Sequence, residues 1–468
     1  MYISKKGESD LSNVENEIFK TIEDNDLITA KSLLKHHEQE LSNHATYYFL
    51  QICFYIKKKN LLNAWLWAWR GLELFPEDNR LSHLMVEISQ FINKKSTLYS
   101  NVNRKNNQST SNHQLPLDLK SYKKFDETSS FSVLQGSIEI ANQMNTLSKG
   151  LQSNNINSHT INYYPYYLNY ESDYEWSLIG YRSTPEINSQ LRRLTKELIL
   201  NYDLFHFHWG TTLTLDWSDI KLLNGAKKKI IMQHWGSDIR LFSEAKKINP
   251  YAVVKNMNED QIKRSLFHLS EQISHCIVSD MELYQYVKGY YRDITVIPSM
   301  INVNHYLPAE NESKNKRLLI AHAPTSPFIK GTQYIEKAIE KLKIDYDFDF
   351  IKVQGLSHQK AMSIYKKADL IIDQLHIGSY GLFAVETMAM EKPVICWISD
   401  FMKEKYPKDL PIIIANPDTI KDTIEYALKN ADMLLEIGKQ GRDYVEKYHD
   451  VSKNSIQVLN LYKKLLSK

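Results

Sequence analysis

"ADLIIDQLHIGSYGLFAVETMAMEKPVICWIS", Ala368 to Ser399, decides the fold. It opens with a short apolar run and passes through a loop in which Gly378 and Gly381 flank Tyr380. A helix-length segment with Glu386 near its start follows, and a second apolar run begins after Lys392-Pro393. Apolar runs of strand length separated by helix-length segments predict parallel strands joined by crossover helices.

The same cycle extends in both directions. "KRLLIAHAPT" and "DFDFIKVQG" precede the stretch and "PIIIAN" follows it. Further upstream, "FSVLQG" breaks at Gly136 into a helical segment, and "NSHTINYY", "YDLFHFHWG", "KKIIMQHWGSD", "SHCIVSD" and "DITVIPS" come after it. The pattern predicts an α/β chain with two Rossmann-like domains in tandem, residues 129–305 and 306–445, facing across a cleft. A last helix, 446–468, is expected to pack back on the first of them.

The first 95 residues read as an all-α module. "DLITAKSLLKHH" and "NLLNAWLWAWRGL" align at a spacing of 34, Leu27 with Leu61 and Ala30 with Ala64, which is the tetratricopeptide period. A protein partner, or self-association, follows as the expectation for such a module. A polar linker, residues 96–128, separates it from the α/β part, since "NVNRKNNQSTSNHQ" holds almost no apolar side chains.

The formal charge of +3 over 468 residues is spread along the chain, so nucleic acid is not an expected partner. Cys53, Cys276 and Cys396 sit in apolar contexts without pairing or metal-ligand spacing, which suits a reducing cytoplasm. The start, "MYISKKGESDLSNVENE", lacks an apolar leader, and no apolar run reaches the roughly 18 residues a membrane span needs. The apolar stripe of "SIQVLNLYKKLLSK", with its lysines, admits peripheral contact with an anionic inner-membrane face. Packing against another domain is the commoner use of such a stripe.

In open α/β sheets ligands lie beyond the carboxyl ends of strands. The residues just after each predicted strand are Gly136 and Ser137; His206, His208 and Gly210; His234, Gly236 and Asp238; His322 through Lys330-Gly331; Gly355; and the loop Gly378 to Leu382. Together "QHWGSDIR", "HAPTSPFIKGTQYIEKAIEKL", "YKKADLIID" and "GSYGLFAVETMAMEKPV", with "VIPSMINVNHYLP" as interdomain connector, resemble the GT-B glycosyltransferases, specifically the large retaining family 4. The resemblance covers residues 131 to 448. It implies sugar transfer with retention from a nucleotide-diphosphate sugar, a UDP-sugar being the expected donor, to a glycan, lipid-linked or protein acceptor, with no metal or further cofactor.

A diphosphate leaving group gains negative charge as the glycosidic bond breaks, so a cation and a helix N-terminus must meet it. Lys330, ahead of Gly331, is placed to be the cation. Tyr380, Gly381 and Leu382 offer backbone N–H groups, with glycine permitting close approach. The resemblance assigns Glu386 the ribose hydroxyls, puts Gly136, Ser137 and Gly355 on the nucleotide-sugar, and sets His234 and Asp238 facing the transferred sugar. Two positions depart from the family. Its first glutamate, near the donor sugar, is Gly378 here, and its arginine five residues before the lysine is Thr325, which leaves backbone donors, His322 or some other side chain to meet the missing charge.

Competing readings are a nucleotide-sugar 2-epimerase on the same architecture and a non-catalytic interaction protein working through its helical module. His206 and His208 share a strand face but lack a third ligand at a diagnostic spacing. "DFD", Asp347 to Asp349, precedes its strand and so lies away from the cleft. Walker, nucleophile-elbow and Gly-x-Gly-x-x-Gly motifs are absent, which removes P-loop, hydrolase and dinucleotide-oxidoreductase classes.

Overall fold

The computed structural model describes residues 13–41, 44–58, part of 64–88, 125–164, 170–176, 178, 183–308, 317–354 and 358–467. The expected linker up to residue 124, Leu61 of the repeat alignment, and Gly355 lie outside the described residues. The chain divides into two compact units, residues 1–114 with 178–182, and residues 115–177 with 183–468.

The first unit is helical: α1 (Asn13–Glu23), α2 (Leu27–His36), the single turn α3 (Glu38–Leu41) and α4 (Ala45–Lys57). Helical positions recur between residues 64 and 88. Asp26 caps α2 by accepting the Thr29 amide at 3.1 Å. The core gathers Ile18, Ile22, Ala30, Leu50, Ile52, Ala64, Leu81 and Ile88, all without exposed surface. Ala30 and Ala64, which the 34-residue spacing aligns, are both buried in it.

The second unit alternates strand and helix. Its first half runs β1 (Ser132–Ser137), α5 (Gln143–Gln152), β2 (Asn157–Asn162), β3 (Tyr174–Glu175), α6 (Pro185–Asn201), β4 (Leu204–His208) and α7 (Ser218–Gly225). It continues through β5 (Lys229–Gln233), α8 (Phe242–Ile248), α9 (Glu259–Gln272), β6 (His275–Val278), α10 (Met281–Val287) and β7 (Asp293–Val296). The second half holds β8 (Leu319–His322), α11 (Pro327–Lys330), α12 (Thr332–Leu342), β9 (Asp349–Lys352), α13 (His358–Lys367) and β10 (Leu370–Ile372). After it come α14 (Leu382–Ala389), β11 (Val394–Cys396), α15 (Asp400–Lys403), β12 (Ile413–Ile414), α16 (Ile420–Lys429), α17 (Ala431–Tyr448) and α18 (Val451–Leu466).

All strand pairs in these two sheets are parallel, in the orders β3-β2-β1-β4-β5-β6-β7 and β12-β11-β10-β8-β9. Each order reverses once, between β1 and β4 and between β8 and β10. The crevice at such a reversal is where ligands of this architecture bind. The central strands are buried along their whole length, as helices on both faces require.

The chain crosses between the halves twice, side by side. Ile301 of the connector and Val451 exchange backbone bonds across residue 449–451: Ile301 N donates to His449 O and Val451 N to Ile301 O, both at 2.9 Å. The buried His449 donates from Nδ1 to Ser299 O (2.7 Å), and its Nε2 meets the Tyr380 hydroxyl (3.0 Å), so it ties the connector, the crossover and the loop before α14 together. Arg442 of α17 adds hydrogen bonds to the carbonyls of Tyr306 and Ala389 at 2.8 and 2.7 Å.

Beyond the second crossing α18 lies on the first half, its Val458, Leu459, Leu461 and Tyr462 packed with Val133, Leu147, Leu151, Leu204 and Ile231. The apolar stripe of this helix is therefore packed into this core. Among the described residues no helix is long and apolar enough to cross a membrane.

Tyr462 is fully buried and its hydroxyl meets His206 Nδ1 at 2.6 Å. Tyr462→Ala empties a large core site, so it is expected to cost about 3–5 kcal/mol of unfolding free energy in urea titration, the range for large aromatic truncations.

Candidate functional site at the β8/β10 switch point

Three segments converge where the second sheet reverses. After β8, Pro327 starts the short α11; Gly331, at φ +74°, turns the chain left-handed between α11 and α12. A Cβ on Gly331 would lie 3.0 Å from Leu375 Cβ and 3.2 Å from His376 Cδ2, so only glycine lets this turn sit against the loop after β10. That packing carries Lys330 to the start of α14. A Cβ built on Gly381 would be 3.5 Å from Lys330 Nζ and 3.4 Å from Asp373 Oδ2. Lys330, Gly331, Gly381 and Leu382 are thus brought together.

Asp373, the first residue after β10, completes the cluster and was not singled out from the sequence. Its Oδ1 is ion-paired with Lys330 Nζ, and its Oδ2 accepts the Gly381 amide at 2.9 Å. The carboxylate has no exposed surface and the lysine side chain is 13% exposed. A buried charge needs such a partner, because an uncompensated ammonium out of water is unfavourable by several kcal/mol. The signal was present: an acid directly ending the apolar "DLIID".

Further along α14, the half-buried Glu386 accepts the Tyr306 hydroxyl at 2.8 Å. Tyr306 comes from the connector, and burial beside this carboxylate pushes its phenol upward. Glu386 and the start of α14 therefore share one helix, with the acid in its second turn. Tyr380 turns its ring away from this cluster: it stacks on Tyr406 at 4.6 Å and bonds Tyr444 and His449. Only its backbone is available to the loop.

His322 ends β8 with both ring nitrogens engaged. Its Nδ1 is bonded to Ile372 O at 2.8 Å and its Nε2 to Thr332 Oγ1 at 2.9 Å, so it pins α12 across the two switch-point strands. Burial pushes it down to about 4, keeping it neutral. His322, one of the groups weighed for the missing arginine's charge, thus has both ring nitrogens engaged within the chain. Arg317 and Asp347 pair at the opposite, amino ends of β8 and β9.

Gly378 adopts φ +81°. A Cβ there would meet Asn249 Nδ2 at 2.8 Å and Ser399 Cβ at 3.1 Å. Asn249, after α8 of the first half, donates to His376 O at 2.7 Å and accepts Trp397 Nε1 at 2.9 Å. His376 Nδ1 also reaches Tyr251 O at 2.9 Å. An amide from across the cleft thus fills the space that a longer residue at 378 would claim.

At the first sheet's switch point Gly136 and Ser137 are turned inward. Gly136 presses on Ile161, where a Cβ would come within 2.5 Å of Cγ2. Ser137 is 1% exposed and donates its hydroxyl to Thr212 O at 2.8 Å, bridging the ends of β1 and β4. Just beyond, Glu139 caps α5, its carboxylate accepting the Met144 and Asn145 amides at 3.0 and 2.9 Å. Burial pushes it up to about 7 against those bonds.

His234 and Asp238 do come together: Nδ1 meets Asp238 Oδ2 at 2.7 Å, and Nε2 meets the Tyr291 hydroxyl at 2.9 Å. Asp238 Oδ1 also accepts the Trp235 and Gly236 amides. With His234 1% exposed and both ring nitrogens engaged, the pair holds the loop after β5. His206 and His208 stack at 4.5 Å, and the Trp235 indole donates to His208 Nδ1 at 3.2 Å. Burial pushes His208 down to about 3. Among the described residues no group of three or more His, Cys, Asp or Glu is arranged to hold a metal ion.

Two parallel sheets with these switch points form the GT-B glycosyltransferase fold. Among solved structures the chain is similar to sucrose-phosphate synthase from Thermosynechococcus elongatus (TM-score 0.53, 14% identity, 72% of this chain and 99% of that one). It also resembles Anabaena HepE in complex with UDP-glucose (TM-score 0.50, 10% identity, 72% of this chain and all of the other). In sequence it is 21% identical over 297 residues to the trehalose synthases of Thermococcus litoralis and Pyrococcus furiosus. That match takes in 62% of this chain and spans 65% of the relatives' length. No family model matches the chain.

Two outcomes follow from these contacts. Restoring the acid, Gly378→Glu, forces a left-handed non-glycine residue into Asn249 and is expected to lower stability by about 1–3 kcal/mol, with Asn249→Gly relieving part of the loss in thermal melts. For His208, the unfolded chain binds a proton near pH 6.5 that the native one refuses until about 3, so its contribution is present above 6.5 and lost as pH falls. The stability advantage of wild type over His208→Asn should shrink by up to about 1.4 kcal/mol per pH unit across that window; a pH-independent difference in urea titrations counts against it.

Proposed function

We propose that this protein is a glycosyltransferase that moves a sugar, with retention, from a nucleotide-diphosphate sugar to a glycan, lipid-linked or protein acceptor. The carrying observation is the meeting of Lys330, the Gly381 amide and the start of α14 at the β8/β10 switch point, with Glu386 on the same helix. An ammonium group and helix-start amides suit a diphosphate whose charge grows as the glycosidic bond breaks. A carboxylate suits a ribose diol, accepting from both hydroxyls. A UDP-sugar is the donor to try first, supported by the UDP-glucose bound to HepE and by the sugar-synthase relatives.

Retention in this reading uses the leaving phosphate to take the acceptor proton as attack occurs on the same face, so no protein nucleophile is needed. The buried His234–Asp238 pair then acts by fixing the acceptor-side loop. The helical first unit offers a protein-binding or self-association surface.

The test is a donor screen with UDP-, GDP- and ADP-sugars, reading released nucleotide with and without acceptor. Lys330→Ala is expected to weaken nucleoside-diphosphate binding by about 10- to 100-fold, the share of a charge-assisted hydrogen bond of about 1.5–3 kcal/mol. Unchanged affinity in calorimetry would remove the site from consideration. Production of a 2-epimerised free sugar and UDP without acceptor would instead favour an epimerase.

A further inference from the structure

The phosphate-binding groups of this reading are already engaged by the chain's own carboxylate. Asp373 takes one hydrogen and the charge of Lys330, and it takes the single hydrogen of the Gly381 amide. The pair is electrically neutral, and the family arginine that would tip the balance is Thr325. The next amides of α14, Leu382 and Phe383, have no acceptor outside the helix among the hydrogen bonds of the described residues. A diphosphate approaching them meets Asp373 at the same helix start, a like charge with no exposed surface and little water to screen it.

From this geometry we infer that Asp373 is a built-in competitor for the donor's diphosphate: it occupies Lys330 and the Gly381 amide in the unliganded protein and must release both for an anion to bind. The inference rests on the functional reading above and specifies how that same site is regulated. Asp373 acts through Lys330 and the backbone, so it is a positioning and gating residue. Its release leaves Lys330 and one amide to the diphosphate, while the carboxylate rotates away from the helix start. Affinity for nucleoside diphosphates is then set by a competition between two anions for one ammonium and one N–H.

The competition makes an unusual prediction, because removing a buried charged residue should improve binding. Titration calorimetry with UDP, GDP and ADP on wild type, Asp373→Asn, Asp373→Ser, Lys330→Ala and the Asp373→Asn/Lys330→Ala double variant separates the possibilities. The expected result is a gain of about tenfold for Asp373→Asn, the factor for one like charge removed nearby. The gain should vanish in the double variant. Damage to the fold cannot produce a gain, and Asp373→Ser repeats the test if the asparagine variant does not fold. Wild-type binding that Lys330→Ala weakens, with Asp373 variants unchanged or weaker, overturns the competition and leaves the site standing. No binding of any of the three nucleotides by wild type and both Asp373 variants overturns the site and the competition together.

Discussion

An ammonium group held mostly out of water needs an anion, and the architecture at the β8/β10 reversal follows from that requirement. Lys330 is carried there by a one-turn helix and a left-handed glycine, and α14 begins beside it with its first amides unpaired inside the helix. Both features raise the positive potential at one point of the cleft. In this chain the balancing charge comes from Asp373 at the end of the neighbouring strand. The same residue joins the lysine to the helix start, so the geometry of the cluster is fixed before any ligand arrives.

The first half treats its corresponding points in the same way. Glu139 meets the amides at the start of α5, Ser137 spends its hydroxyl on the end of β4, and Asp238 holds the loop after β5. Each is a polar group at a strand or helix end that finds an internal partner. Buried polar groups are costly unless hydrogen-bonded, which is why these ends close on themselves. The floor of the first half at these points is built from side chains held by internal partners.

Between the halves, contacts from both sides set the cleft. Asn249 enters the space beside Gly378, and His449 links the connector to Tyr380 of the donor loop. The space beside Gly378 is thus taken by an amide from the facing half. A neutral His449, pushed down to about 4 by burial, keeps this joint free of charge at ordinary pH.

The sequence alone determined the alternation of parallel strands and helices, because burial on both faces makes strands read as continuous apolar runs and punctuates them with glycine and turn residues. It also marked Lys330, Gly331, Gly381 and Glu386, whose order along a strand-loop-helix segment constrains where each must fall. Tertiary structure alone decided which polar groups are spent internally. His322, His234 and Ser137 stand at strand ends like any ligand-facing residue, yet their partners Thr332, Tyr291 and Thr212 are supplied by separate loops or helices. Asn249 lies more than a hundred positions from Gly378, and nothing local signals their contact. Hydrogen-bond pairing across distant segments is a property of the folded arrangement, and it fixes which of the legible residues remain available to a ligand.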